Sequence, residues 1–183
     1  MMEGMFDPTS SKNTGYHLFL EPTGDIALEL QRIIATLARE YNGPVFVPHV
    51  TIAARIPSKQ GEESIIAKTE TLVKECSPFS LTLSDVGMED AFFLALYMKV
   101  QKTNEIETIH ARANELFSLS DASPYVPHVS LLYGNFSRTE KEMVPTFALL
   151  KGRSFPVDRV HLYRTEGEAS EWKKIQEFLF PKK

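Results

Sequence analysis

The sequence predicts an α+β protein in which a βαβαβ unit occurs twice. The expected result is a bilobal, pseudo-two-fold molecule, with two antiparallel sheets around a central cleft and helices on the outer faces. Three observations lead there. The string PVFVPHVTIAA at 44–54 returns as PYVPHVSLLYG at 124–134. The same succession of hydrophobic periods surrounds each copy. A hydrophobic content of 43% over 183 residues is enough to bury one shared core.

The elements follow in order. YHLFLEP (16–22) reads as a strand stopped by Pro22, and DIALELQRIIATLAREYNG (25–43) has apolar residues at helical spacing. Asp25 suits its N-cap, and Gly43 with Pro44 ends it. FVPHVTIAARI (46–56) is a strand that tolerates Pro48 at its start. The segment 58–78 is helical from about Gly61, and FSLTLSDVGM (79–88) alternates as a strand does. In the second half AFFLALYMKVQ (91–101) is a strand, EIETIHARANELFSLS (105–120) a helix and VPHVSLLYG (126–134) the repeated strand. Residues 137–152 read as mostly helical despite Pro145, 155–166 as a strand, and 171–180 as either a last strand or a short helix. Residues 1–14 are expected to be a disordered tail. The remaining 15–183 form one bilobal domain, with repeats at about 15–89 and 90–183.

Within a strand, residues two apart share a face. His49 and Thr51 therefore project together, opposite Val50 and Ile52, and His128 and Ser130 project opposite Val129 and Leu131. Each copy offers one imidazole and one hydroxyl to the cleft. Two imidazoles can serve as general acid and general base near neutral pH. Two hydroxyls can donate to the non-bridging oxygens of a phosphoryl group. The set suits in-line displacement at phosphorus, with no metal or other cofactor required.

H-V-T-I at 49–52 and H-V-S-L at 128–131 resemble the paired H-x-[TS]-x signatures of the 2H phosphoesterases. FVPHVTIA, PYVPHVSLLYG and DRVHLYRTE are similar to the plant and yeast cyclic phosphodiesterase branch, over about Tyr16 to Phe180. The resemblance implies the bilobal fold and metal-independent opening of small cyclic phosphates. These are nucleoside 2',3'-cyclic phosphates, opened to 2'-phosphates, and ADP-ribose 1'',2''-cyclic phosphate, opened to ADP-ribose 1''-phosphate. It casts His49 and His128 as catalytic and Thr51 and Ser130 as phosphate-binding, and it favours Tyr133 as a substrate contact, turned inward by a bend at Gly134.

Aligning the first strands of the two repeats sets Phe19 opposite Tyr97, two aromatics able to stack on a base. Relatives in this branch carry an aromatic, usually tryptophan, where this chain has Phe19. His17 shares the face of Phe19, and Arg164 is a candidate for offsetting phosphate charge at the cleft edge. His110 and His161 lack a partner pattern and read as structural, the first at a helix surface.

Composition narrows the alternatives. A net charge of -4, with no basic run longer than a pair, argues against a long nucleic-acid partner, although a short RNA end stays open. The single cysteine, Cys76, excludes an internal disulfide framework and points to a reducing, cytoplasmic setting. No stretch resembles a signal peptide or a membrane span. A monomer acting on a small nucleotide is expected. Competing readings are a 2'-5' phosphodiesterase or RNA-end enzyme with the same four residues, a catalytically silent nucleotide-binding module, and a metal site at His49 and His128. The last lacks carboxylate or thiol ligands at suitable spacing.

Overall fold

The computed structural model describes residues 7–120, 124–137 and 147–181. Among them the chain forms β1 (Tyr16–Leu20), α1 (Asp25–Glu40), β2 (Val50–Ile56), α2 (Glu62–Lys74), β3 (Phe79–Gly87) and β4 (Leu96–Val100). It continues with α3 (Asn104–Phe117), β5 (His128–Leu132), β6 (Ser154–Val157), β7 (Arg159–Arg164) and β8 (Lys173–Leu179). The strands run antiparallel in the order β6-β3-β4-β5-β2-β1-β7-β8. The two expected sheets are the two four-stranded ends of this curled ladder, and they meet where Val50 of β2 pairs with Val129 of β5.

The helices form where an apolar stripe recurs every three or four residues. In α1 the stripe is Ile26, Leu30, Ile34 and Leu37, and in α3 it is Ile106, Ile109, Ala113 and Phe117. The α1 stripe packs on β5 and the α3 stripe on β2, so each repeat covers the other repeat's histidine strand. Beneath them Leu18, Val50, Ile52, Val129, Leu131 and Leu162 are wholly buried in one core. The N-cap of α1 is Gly24, at φ 69°, and not Asp25. Asp25 opens the first turn, where its carboxylate complements the helix dipole.

The repeat is clearest in the register. Phe19 of β1 pairs with Thr51, and Tyr97 of β4 pairs with Ser130. The third strand of each repeat then crosses over: β3 pairs with β4, and β7 with β1. The strand expected over 155–166 is accordingly broken at Asp158. Its first part, β6, adds to β3, and its second, β7, adds to β1.

The other departures are local. The strand expected from 91 begins at Leu96, because Leu94 N–H bonds Ala91 O and Glu89 N–H bonds Leu94 O, closing a 3-10 turn over Phe92–Leu94. The segment 171–180 yields strand β8. The helix expected within 137–152 falls mainly on 138–146, outside the described residues, and Ala148–Leu150 forms a single 3-10 turn. Of the expected tail, residues 7–14 are tied down. Asn13 exchanges backbone hydrogen bonds with Gly167, and the carbonyls of Pro8 and Thr9 accept from Phe92 N–H and Asn135 Nδ2.

The contact between the halves yields a stability test. Val50→Ala and Val129→Ala each remove buried methyl groups and are expected to cost about 1–3 kcal/mol. Because the side chains share one site, the double variant should depart from additivity by about 0.5 kcal/mol or more in urea unfolding. Strict additivity would mean that the junction is not a single packed unit.

Candidate active site

The repeated V-P-H spelling has a local cause. Proline has no N–H and keeps the residue before it extended, so a valine carbonyl is presented just ahead of the histidine. Each imidazole reaches back to it. His49 Nδ1 lies 2.6 Å from Val47 O, and His128 Nδ1 lies 2.8 Å from Val126 O. A carbonyl only accepts, so Nδ1 carries the hydrogen, and Nε2 of each neutral ring is left as a proton acceptor.

One residue to either side of the Val50–Val129 pair, antiparallel register sets His49 opposite Ser130 and Thr51 opposite His128, all on the face away from the valines. These four side chains line a cavity of about 260 Å³. A second concavity of about 440 Å³ shares Tyr133 as a wall and runs past Tyr41, Asn42 and Phe136. It contains none of the four, so the smaller one is the candidate site.

Aromatic rings fix the imidazoles. Phe19 is only 2% exposed, and its face stacks on His49 with centroids 3.7 Å apart and 22° between planes. With that face covered, Phe19 is a support for the imidazole and not the open stacking platform expected. Tyr97 occupies the equivalent place in the second half, 5.0 Å from the His128 ring. Gly87 lies opposite Tyr97 in the ladder, and a Cβ there would come within 2.3 Å of the Tyr97 ring. β5 ends at Leu132, so strand parity no longer governs Tyr133. Its ring stacks on Phe46 at 3.6 Å and lines the cavity beside Ser130. The Ser130 hydroxyl donates to Phe93 O at 3.0 Å.

Several cleft residues were not foreseen. Phe93 and Trp172 line it together, with centroids 5.9 Å apart, and Trp172 stands 6.1 Å from His49. Trp172 is the chain's one tryptophan, in a polar stretch just before β8. That contrast was the available signal. Arg55 also borders the cavity, from a bulge that no periodicity announces.

Other expected candidates are placed elsewhere or already engaged. Arg164 is a clasp and not a cleft residue: Nη2 pairs with Glu62 at 2.5 Å, and Nε donates to Tyr16 Oη at 3.1 Å. Its register partner is Tyr16, on the α2 side of the sheet, which turns it from the cleft. His17 does line the cavity, but both its ring nitrogens are hydrogen-bonded within the protein. His110 is half-buried and not at the helix surface. Its Nδ1 donates to Ile52 O at 2.9 Å, while Tyr125, stacked on the same ring, donates to Thr51 O. Together they brace β2 from behind. His161 has a carboxylate partner, with Nδ1 3.0 Å from Glu21 Oε1.

Burial dominates the electrostatics. It holds the His49 pKa down at about 4, with the Val47 carbonyl pulling upward, His128 adding to the depression and Glu21 opposing it. Burial also lowers His128. Glu21 is pushed up by its own burial, but His161, Tyr163 and Lys174 outweigh that and bring it to about 2, so an ionised carboxylate stands behind His49. Among the described residues no three His, Cys, Asp or Glu side chains are grouped as a metal site, and no helix is long and apolar enough to cross a membrane.

Comparison with known proteins bears on the fold and the family. The cyclic phosphodiesterase of Arabidopsis thaliana is 27% identical over 164 residues, covering 86% of this chain and 88% of the relative. The fold matches Escherichia coli LigT, solved in complex with 3'-AMP, at a TM-score of 0.61 with 14% identity, covering 93% of this chain and 99% of the other. It also matches TT0787 of Thermus thermophilus at 0.62 with 16% identity, covering 90% and 97%. A family model described as the 2'-5' RNA ligase superfamily spans residues 22–169, from the end of β1 across both histidine strands to the turn before Trp172. With most of its length and both histidine motifs inside that match, the chain belongs to the 2'-5' RNA ligase superfamily, the 2H phosphoesterases.

Proposed function

We propose that this phosphodiesterase hydrolyses small cyclic phosphates, namely nucleoside 2',3'-cyclic phosphates to 2'-phosphates and ADP-ribose 1'',2''-cyclic phosphate to ADP-ribose 1''-phosphate. The observation that carries the reading is the pair of Nδ1-anchored imidazoles, His49 and His128, each opposite the hydroxyl residue of the other strand. In the proposed reaction one Nε2 takes a proton from water as its oxygen attacks phosphorus. The opposite bond from phosphorus to the ribose 3'-oxygen breaks, and the second imidazole, protonated, delivers its proton to that oxygen. Thr51 and Ser130 donate to the non-bridging oxygens. The Ser130 hydroxyl turns from Phe93 O to do so. Each proton has a carrier within the chain, so no metal is needed.

A cavity of about 260 Å³ suits a nucleotide better than a polymer, and its mouth offers Trp172 and Phe93 as a stacking surface for a base. The acidic balance of the chain favours the same choice.

Phosphorus NMR of chelator-treated protein with adenosine 2',3'-cyclic phosphate should show the 2'-phosphate as the one product. Loss of turnover on chelation, or formation of the 3'-phosphate, would refute the assignment. His49→Ala and His128→Ala should each lower kcat about 10²- to 10⁴-fold, and a double variant with wild-type rate would rule out acid–base roles.

The pH profile gives an independent check. A base must lose its proton and an acid must keep it, so activity rises through one pKa and falls through the other. Both histidines lie below their ordinary 6.5 in the free protein, which places the kcat/KM bell on the acid side of pH 6.5. A bound anionic substrate raises both pKa values, so the kcat bell should lie at higher pH than the kcat/KM bell. A kcat/KM optimum above pH 7 would contradict this account. Finally, adenosine 2'-phosphate should quench the fluorescence of the chain's single tryptophan, whereas inorganic phosphate should not. Equal responses would remove Trp172 from the base site.

A further inference from the structure

The register of β1 against β2 slips at two points, and the one nearer the start of β1 borders the cleft. Tyr16 faces Ile56 and Leu18 faces Ala53, so Ala54 and Arg55 together oppose His17. This is a β-bulge, a device that re-aims a side chain next to a site. Arg55 sits in it at φ 54°, the left-handed region that residues other than glycine adopt at a cost.

A buried polar relay holds that conformation. Arg55 N–H donates to His17 Nε2 at 3.3 Å, and Asn13 Nδ2 lies 3.1 Å from the same atom. A backbone N–H only donates, so Nε2 accepts and Nδ1 carries the hydrogen. Nδ1 lies 2.5 Å from Thr165 Oγ1, which in turn donates to Gly15 O. Burial, then the charges of His49 and Arg55, press the His17 pKa down to about 3, so the ring is neutral and its place in the relay is fixed. The catalytic scheme has no use for His17. Its contacts account for it as the post to which the bulge is tied.

The bulge presents a cation to the cleft. Among the described residues lining the cavity, Arg55 is the one lysine or arginine. The reacting phosphate is already provided for by Thr51, Ser130 and the two imidazoles, and Arg55 stands beyond Thr51 along β2. A guanidinium there matches a second phosphoryl group on the same ligand.

We propose that Arg55 is a specificity-determining residue that receives a second phosphate of the substrate, so that cyclic phosphates bearing a further 5'-phosphate or diphosphate are preferred over bare nucleoside cyclic phosphates. This rests on the cyclic phosphodiesterase reading and narrows it.

The test compares kcat/KM for adenosine 2',3'-cyclic phosphate with that for its 5'-phosphorylated form at low, fixed ionic strength. The wild type should prefer the second by about 10- to 100-fold, the range expected for a charge-assisted contact. Arg55→Asn suits the purpose because asparagine tolerates left-handed backbone. It should bring the preference close to one, with a much larger loss on the 5'-phosphorylated substrate than on the bare nucleoside, and Arg55→Lys should restore part of it. No preference in the wild type, or an equal loss on both substrates in R55N, overturns the proposal while cyclic phosphodiesterase activity stands. Should neither substrate be turned over, the functional reading fails, and Trp172 fluorescence still decides on Arg55. Tighter binding of adenosine 2',5'-bisphosphate than of adenosine 2'-phosphate, lost in R55N, supports it, and equal affinity refutes it.

Discussion

The site depends on a single junction. Two four-stranded arrays meet where Val50 pairs with Val129, and the residues flanking that pair are the four to which the proposed chemistry is assigned. Because the valines are wholly buried and the strands run antiparallel, the alternation of the backbone leaves His49, Thr51, His128 and Ser130 facing the other way. The geometry of the candidate site and the packing of the core are thus two faces of one contact. The α1 and α3 helices press on it from behind, each on the strand of the opposite repeat, so neither half can shift without the other.

Duplication gives symmetry in the backbone, and the side chains then break it. Both histidines are anchored by the carbonyl two residues earlier, and both have an aromatic ring from the first strand of their repeat nearby. The rings differ. Phe19 lies flat against His49 and seals it, whereas Tyr97 is tilted and commits its hydroxyl to Glu89. Glu21 stands behind His49, and burial outweighs its pull. Two imidazoles equivalent by the repeat therefore occupy unequal surroundings, which suits the proposed reaction with its distinct incoming and leaving oxygens.

Much of this was legible in the chain. Period-two alternation gave the facing of the histidine strands, helical spacing gave α1 to α3, and the repeat gave the correspondence of Phe19 with Tyr97, which the ladder registers reproduce. Other features depend on contacts between distant segments. Nothing in FPVDRVHLYRTE says that the chain changes sheets at Asp158, because both portions alternate equally well. Trp172 reaches the cleft through a turn late in the chain, and Arg55 through a register slip set by a hydrogen bond to His17. Arg164 looks available in sequence because its clasp, Glu62, comes from a helix about a hundred residues earlier. The V-P-H string reads as a strand start, and its use as a tautomer lock becomes visible only with the imidazole in place.

The exchange of third strands bears on how such a molecule could arise. In a lone βαβαβ unit the third strand would lack the partner it has here, and its hydrogen-bonding groups and those of the first strand's outer edge would be left unpaired. Two separate copies satisfy each other by reciprocal donation, a closed symmetric dimer with the site already assembled on its axis. Joining the copies end to end adds nothing to that active site. What fusion adds is freedom for the two halves to differ, as Phe19 and Tyr97 do at matched positions.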